Sequence, residues 1–113
     1  MNKDPKVFIE HILECIDLIE KYSREITSET FFNSTQHQDA IIRRIEIIGE
    51  AVKNLSADIK DKYPDIAWKQ IAGMRDILVH EYFGVDLDLT WQAVKEDIPE
   101  LKKKIIKIQE ALA

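Results

Sequence analysis

The sequence predicts an all-α protein: one domain over residues 1–113, folded as an up-and-down bundle of four to five helices. Three observations predict it. Apolar residues recur at spacings of three and four along most of the chain, the repeat of a helix that buries one face. Three Gly and three Pro are too few for a β-sandwich or barrel, which needs a turn every ~8–12 residues. Val, Ile, Leu and Phe supply 35 of the 113 residues. That is enough for a core and well above a disordered composition.

The first helix is predicted over Pro5 to Arg24. Pro5 suits a first turn, where its missing N–H costs nothing. Phe8, Ile12, Cys15, Ile19 and Tyr22 share a face, which Ile9, Leu13 and Ile16 widen. Cys15 is therefore expected as a buried thiol, and a single cysteine excludes a disulfide framework. Residues 27–34 (TSETFFNS) read as a connection whose Phe31 and Phe32 pack back on the bundle or on a partner. Thr35 and Gln38 have the spacing of a capping box that opens a second helix, running to about Leu55. Ile41, Ile45, Ile48, Val52 and Leu55 form its stripe. Gly49 interrupts it at a cost of roughly 1 kcal/mol against Ala, and close approach of another backbone is the simplest reason to keep it.

Residues 56–64 are polar and end at Tyr63-Pro64, after which Asp65 can cap the next element. From Ala67 to Phe83 the core candidates are Trp68, Ile71, Ala72, Met74, Leu78 and Val79. Gly73 is a point where this stretch can divide into two short helices, and Gly84 should end it. Asp86 and Asp88 are alternative caps for a last helix from about Leu89 to Leu112. Pro99 should kink or break that helix. Its stripe is Trp91, Val94, Ile98, Leu101, Ile105, Ile108 and Leu112.

Composition excludes several functions. No apolar run approaches the ~20 residues of a membrane span, and the N-terminus meets charge too early for a signal peptide, so a cytoplasmic protein is expected. A net charge of −5 lacks the overall basic footprint of a nucleic-acid binder; contact with RNA would need a local site. Glu46 and Glu50, and Glu96 and Glu100, stand at i,i+4 without the Glu-x-x-His spacing of di-metal helical sites. His11 and Glu14 share a face with nothing to complete a metal site, and no cofactor is expected. Lys102, Lys103, Lys104 and Lys107 read as a solvated face, with phosphate steering as the alternative. His37 is expected at the surface.

One segment differs: GMRDILVHEYFGVD, residues 73–86, where Arg75, Asp76, His80 and Tyr82 interrupt an otherwise apolar stretch. Burying such groups is costly without partners. On a regular helix Arg75 and His80 lie ~140° apart, while Asp76 and His80, at i,i+4, can touch. Histidine titrates near neutrality and moves protons; arginine forks onto phosphate oxygens. Together they suit metal-free cleavage of RNA by its own 2′-hydroxyl, with Arg75 stabilising the phosphorane. A structural Arg–Asp–His network between helices is the other reading of the same spacing.

The longer string resembles the signature of HepT-like proteins of the HEPN superfamily, Arg-x4-His-x-Tyr with a polar residue after the Arg: here Arg75, Asp76, His80 and Tyr82. RRIEIIGEAVKNLS (residues 43–56) resembles the family's second helix, with Ile-Gly-Glu-Ala at Ile48 to Ala51. YPDIAWKQIAGMRD and VDLDLTWQAVKEDIPEL resemble the flanking pattern, including Trp68, Trp91 and Pro99. The resemblance implies an all-helical, HEPN-like homodimer acting as a metal-independent endoribonuclease, the toxin of a toxin–antitoxin pair. Its implied partners are RNA and a cognate MNT-type nucleotidyltransferase antitoxin, which silences the toxin by AMPylating the motif tyrosine, Tyr82 in this chain. The resemblance implies catalytic roles for Arg75 and His80, and Asp76 would support them. A non-catalytic helical adaptor that binds a nucleotidyltransferase is the alternative.

Overall fold

Asp4 starts the first helix of the computed structural model. Its carboxylate accepts the backbone N–H of Lys6 at 2.9 Å, Pro5 fills the first turn, and α1 runs Pro5–Arg24 as predicted. The structure describes residues 4–74, 76, 79–80 and 84–113, of which 79, 80, 84 and 85 are described by their backbone alone.

The expected connection at residues 27–34 contains a helix, α2 (Ser28–Asn33). Thr27 caps it, accepting the Thr30 N–H at 3.2 Å. Six residues are too few to display an apolar repeat, which is why composition alone reads as loop. Phe31 is fully buried, with its ring 5.1 Å from that of Trp91, so this segment does pack back on the bundle.

The helix cap falls one residue earlier than expected, and no capping box forms, because the residue three beyond Ser34 is His37. Ser34, not Thr35, caps α3 (Thr35–Lys53), and its hydroxyl accepts the His37 N–H at 3.3 Å. Gln38 donates its side-chain amide to the carbonyls of Phe31 and Phe32 at 3.0 and 3.2 Å, tying α2 to α3. His37 is half-buried rather than at the surface, with Nδ1 2.6 Å from the Ser34 hydroxyl. The α3 stripe is buried as predicted: Ile41, Ile45, Ile48, Val52 and, just beyond the helix, Leu55.

A second short helix, α4 (Ala57–Lys62), occupies the polar stretch, capped by the Ser56 hydroxyl. The Trp68 indole N–H is shared by the carbonyls of Lys60 and Tyr63 at 3.2 and 3.1 Å, which seats α5 (Trp68–Ala72). Asp65 does not cap α5; its carbonyl accepts Lys104 Nζ at 3.0 Å. Beyond the break at Gly73, the expected helix to Phe83 is not maintained. Val79–His80 (β1) and Gly84–Val85 (β2) form a two-residue antiparallel pair, Val79 opposite Val85 and His80 opposite Gly84. Gly84 therefore belongs to a strand rather than to a helix terminus.

Asp86 is the cap of the last helical run, accepting the Leu89 N–H at 3.0 Å. The run comprises α6 (Leu87–Gln92), a π turn (Ala93–Asp97) and α7 (Ile98–Leu112). The break expected from Pro99 is this π turn. Proline has no N–H to donate and its ring crowds the carbonyl four residues back; a turn wider by one residue relieves both.

α1 packs against both α3 and α7, and α3 also packs against α5. Ile12, Ile16 and Ile19 of α1, Ile41, Ile45 and Ile48 of α3, and Ile98, Ile105 and Ile108 of α7 are essentially inaccessible. Burying each contributes about 1.5–3 kcal/mol relative to exposure. The all-helical bundle is thus as predicted, with helical pieces also in its connectors. Cys15 is buried in it; burial pushes its thiol pKa up, opposed by Arg44. Among the described residues no helix is long and apolar enough to cross a membrane.

Candidate active site

The motif segment leaves the bundle from α5, and one contact sets where α5 lies. A Cβ built on Gly49 of α3 would stand 3.0 Å from the Ala72 carbonyl oxygen and 3.5 Å from that of Ile71. The absence of a side chain at Gly49 lets the end of α5 rest on α3, the close backbone approach its position in the sequence implied. The Gly73 N–H donates to the Lys69 carbonyl at 3.1 Å and closes α5; the Asp76 N–H then donates to the Gly73 carbonyl at 3.0 Å.

Asp76 is exposed and, with Ala72, lines a cleft of about 560 Å³ whose other residues come from α3: Arg43, Glu46, Ile47, Glu50 and Lys53. The cleft carries two cations and three carboxylates. Lys53 Nζ lies 3.5 Å from Glu50 Oε1. Arg43 and Lys53 are separated by roughly 15 Å along the helix axis. Sequence reasoning treated Glu46 and Glu50 as bland and passed over Arg43 and Lys53. The signal was available: positions 43, 46, 50 and 53 recur at helical spacing around Gly49 and so share the face on which α5 rests.

Of the predicted site residues, Arg75 and Tyr82 lie outside the described residues. His80 is placed by its backbone, in β1 opposite Gly84. This corrects the single-helix geometry. Met74 and Asp76 are helical, but Val79 and His80 are extended, so the i,i+4 relation of Asp76 to His80 and the ~140° between Arg75 and His80 do not describe this segment. A pairing at His80–Gly84 fixes the backbone there by its ladder instead.

The remaining candidates are placed elsewhere. His11 and Glu14 are exposed on α1. Lys102 is engaged by Glu20 at 2.8 Å and Asp17 at 3.3 Å; the Glu20 hydrogen bond first, and then Asp17, raise its pKa above the ordinary lysine value. Lys103 contacts Glu100 at 3.2 Å. Lys104 is bound to the Asp65 carbonyl. Lys102 and Lys104 thus tie α7 to other parts of the bundle, while Lys103 and Lys107 are exposed, as expected of a solvated face. Among the described residues no three His, Cys, Asp or Glu side chains are grouped so as to hold a metal ion.

Comparison with known proteins places the chain in context. Residues 12–108 match the family model described as "Ribonuclease HepT-like". The chain is 49% identical over 109 residues to "Probable ribonuclease HepT" of Thermococcus cleftensis, a match covering 96% of this chain and 99% of that protein. It is 58% identical over 112 residues to the "Gamma-glutamylcyclotransferase and putative RNase" of Methanocaldococcus jannaschii. That match covers 99% of this chain but spans only 50% of the relative's length. No solved structure matches the chain.

Proposed function

Because the chain belongs to the HepT-like ribonuclease family, we propose that it is a metal-independent endoribonuclease, the toxin of a HEPN/MNT toxin–antitoxin pair. The observation that carries this reading is that the family match runs through the whole Arg75–Tyr82 segment, where every position of the signature is filled. His80 removes the proton of a ribose 2′-hydroxyl as that oxygen attacks the adjacent phosphorus. Arg75 stabilises the charge that develops on the phosphorane. The bond to the 5′-oxygen breaks, that oxygen takes a proton from solvent, to which His80 returns its own, and a 2′,3′-cyclic phosphate remains. Asp76, next to Arg75 in the chain, has a supporting role.

A cognate MNT-type nucleotidyltransferase silences the chain by transferring AMP from ATP to the Tyr82 hydroxyl, with pyrophosphate as the leaving group. The added phosphate is an anion near Arg75, where it competes with the substrate phosphate. The functional unit is a homodimer, as the resemblance implies. An excess of apolar surface does not argue for it: among the described residues only Val7 and Leu89 are exposed large hydrophobics, because the broad faces of α1, α3 and α7 meet inside one chain.

The test is incubation of the wild type and His80→Ala with total RNA in EDTA. Cleavage by the wild type alone is expected. Intact RNA in both lanes, with AMP still accepted from a co-expressed nucleotidyltransferase, would instead establish the adaptor reading.

A further inference from the structure

Ile71, Ala72, Met74 and Asp76 line two clefts of opposite character. Ala72 and Asp76 line the charged cleft against α3. Ile71 and Met74 line a second cleft, about 400 Å³, formed with α6, the π turn and α7. Its wall is mostly apolar, with Ile71, Met74, Leu89 and Ala93, and it also carries Glu100 and Lys104. Leu89 keeps 37% of its surface exposed there, one of two large hydrophobics left so open among the described residues. Gln70 and Asp97 also line it, both exposed and with no side-chain hydrogen bond among the described residues. The π turn supplies Ala93 and Asp97, and such turns often mark functional positions in helices.

We infer that this cleft is a base-binding subsite, which takes one unstacked nucleobase of single-stranded RNA next to the bond that is cut. The inference rests on the ribonuclease reading and deepens it. Three features argue for a base. The apolar part of the wall is aliphatic rather than aromatic, so it covers the face of a splayed-out base by apolar contact, and the polar groups beside it can read the base's edge. Gln70 offers both a donor and an acceptor, and the Asp97 carboxylate accepts from an exocyclic amine. Met74 lines the cleft and directly precedes Arg75 in the chain, so a nucleotide held here has its phosphate within reach of the motif. The charged cleft lined by Ala72 and Asp76 holds Arg43 and Lys53 beside Glu46 and Glu50, and of these Lys53 is paired with Glu50, which leaves Arg43 as the cation to meet a continuing strand.

The experiment measures binding, so it does not depend on turnover. The probe is a mixed-sequence single-stranded oligonucleotide whose 2′-hydroxyls are methylated, which blocks internal attack, and its affinity is read by fluorescence anisotropy. A companion set carries one abasic nucleotide at each position in turn. For the wild type, one abasic position is expected to weaken binding several-fold, below the roughly tenfold or more of a base stacked on an aromatic ring. Leu89→Asp should weaken binding of the intact probe similarly and make that abasic substitution silent, because both remove the same contact. Leu89→Ala should do so more mildly, and Val7→Asp, at the other exposed hydrophobic, should leave binding unchanged. Equal affinities and equal abasic profiles for the wild type and Leu89→Asp would overturn the subsite while leaving the ribonuclease reading intact. A change in oligomeric state by light scattering, with unchanged probe binding, would overturn it in favour of an interface between copies. A wild type that neither binds nor cleaves RNA would overturn both.

Discussion

A side-chain carbon on Gly49 would meet the carbonyl oxygen of Ala72 at 3.0 Å, and the peptide it would meet is the one that leads into the motif. The opposing atom is backbone, so it cannot swing aside as a side chain would. Gly49→Ala gains roughly 1 kcal/mol of helix propensity but forces α5 away from α3, at a cost of about 1–3 kcal/mol. The expected outcome is net destabilisation of about 1 kcal/mol and a melting temperature lower by several degrees. A thermal melt checks it, and RNA cleavage should fall as well because α5 leads directly into the motif.

Arg75→Ala and His80→Ala are each expected to abolish RNA cleavage while keeping helical circular dichroism and a cooperative melt. The reason is chemical: the reaction needs a proton acceptor and a fixed cation, whereas the core is made by α1, α3 and α7. Early melting of both variants would favour the Arg–Asp–His network as a structural tie.

Tyr82→Phe should keep ribonuclease activity and escape silencing. Phenylalanine lacks only the hydroxyl that accepts AMP. Intact-mass measurement after co-expression with the nucleotidyltransferase should show one or more AMP units on the wild type and none on the variant. If the variant is still modified, Tyr22 and Tyr63 are the remaining tyrosines to test.

Lys102→Met should lower stability by up to about 1 kcal/mol, the scale of a solvent-accessible ion pair, because Lys102 joins α7 to Asp17 and Glu20 of α1. The pH dependence has a definite sign. Its folded pKa is raised, so its stabilisation is full below the ordinary lysine value of 10.5. It is lost as pH rises through the higher folded value. Urea melts of both proteins should therefore differ near neutrality and converge in strong alkali.

Cys15 should resist alkylation in the native state. It is 2% exposed, and burial raises its pKa, while the thiolate is the reactive form. Iodoacetamide at pH 8 should label it rapidly in urea and slowly without; rapid native labelling would show that α1 opens locally.

What the sequence determined by itself was periodic or local. The stripes of α1, α3 and α7 are legible because a long helix repeats its buried face every 3.6 residues. The start of α1 and the Asp86 cap are legible because a cap is a contact between near neighbours. The residues of the candidate site are legible as polar groups in an apolar stretch. The short helices α2 and α4 were not, since six residues carry too little of the repeat, although Thr27 and Ser56 stand as caps before them. Only the tertiary structure decided that His80 sits in an extended pair with Gly84 rather than on a helix with Asp76. It alone brought α3's Arg43, Glu46, Glu50 and Lys53 to the cleft beside Asp76. Both depend on where α5 comes to rest, and that is set by contacts between residues more than twenty positions apart, Gly49 against Ala72 above all. Spacing along a chain reports which residues share a helix face; which face meets which is decided by packing.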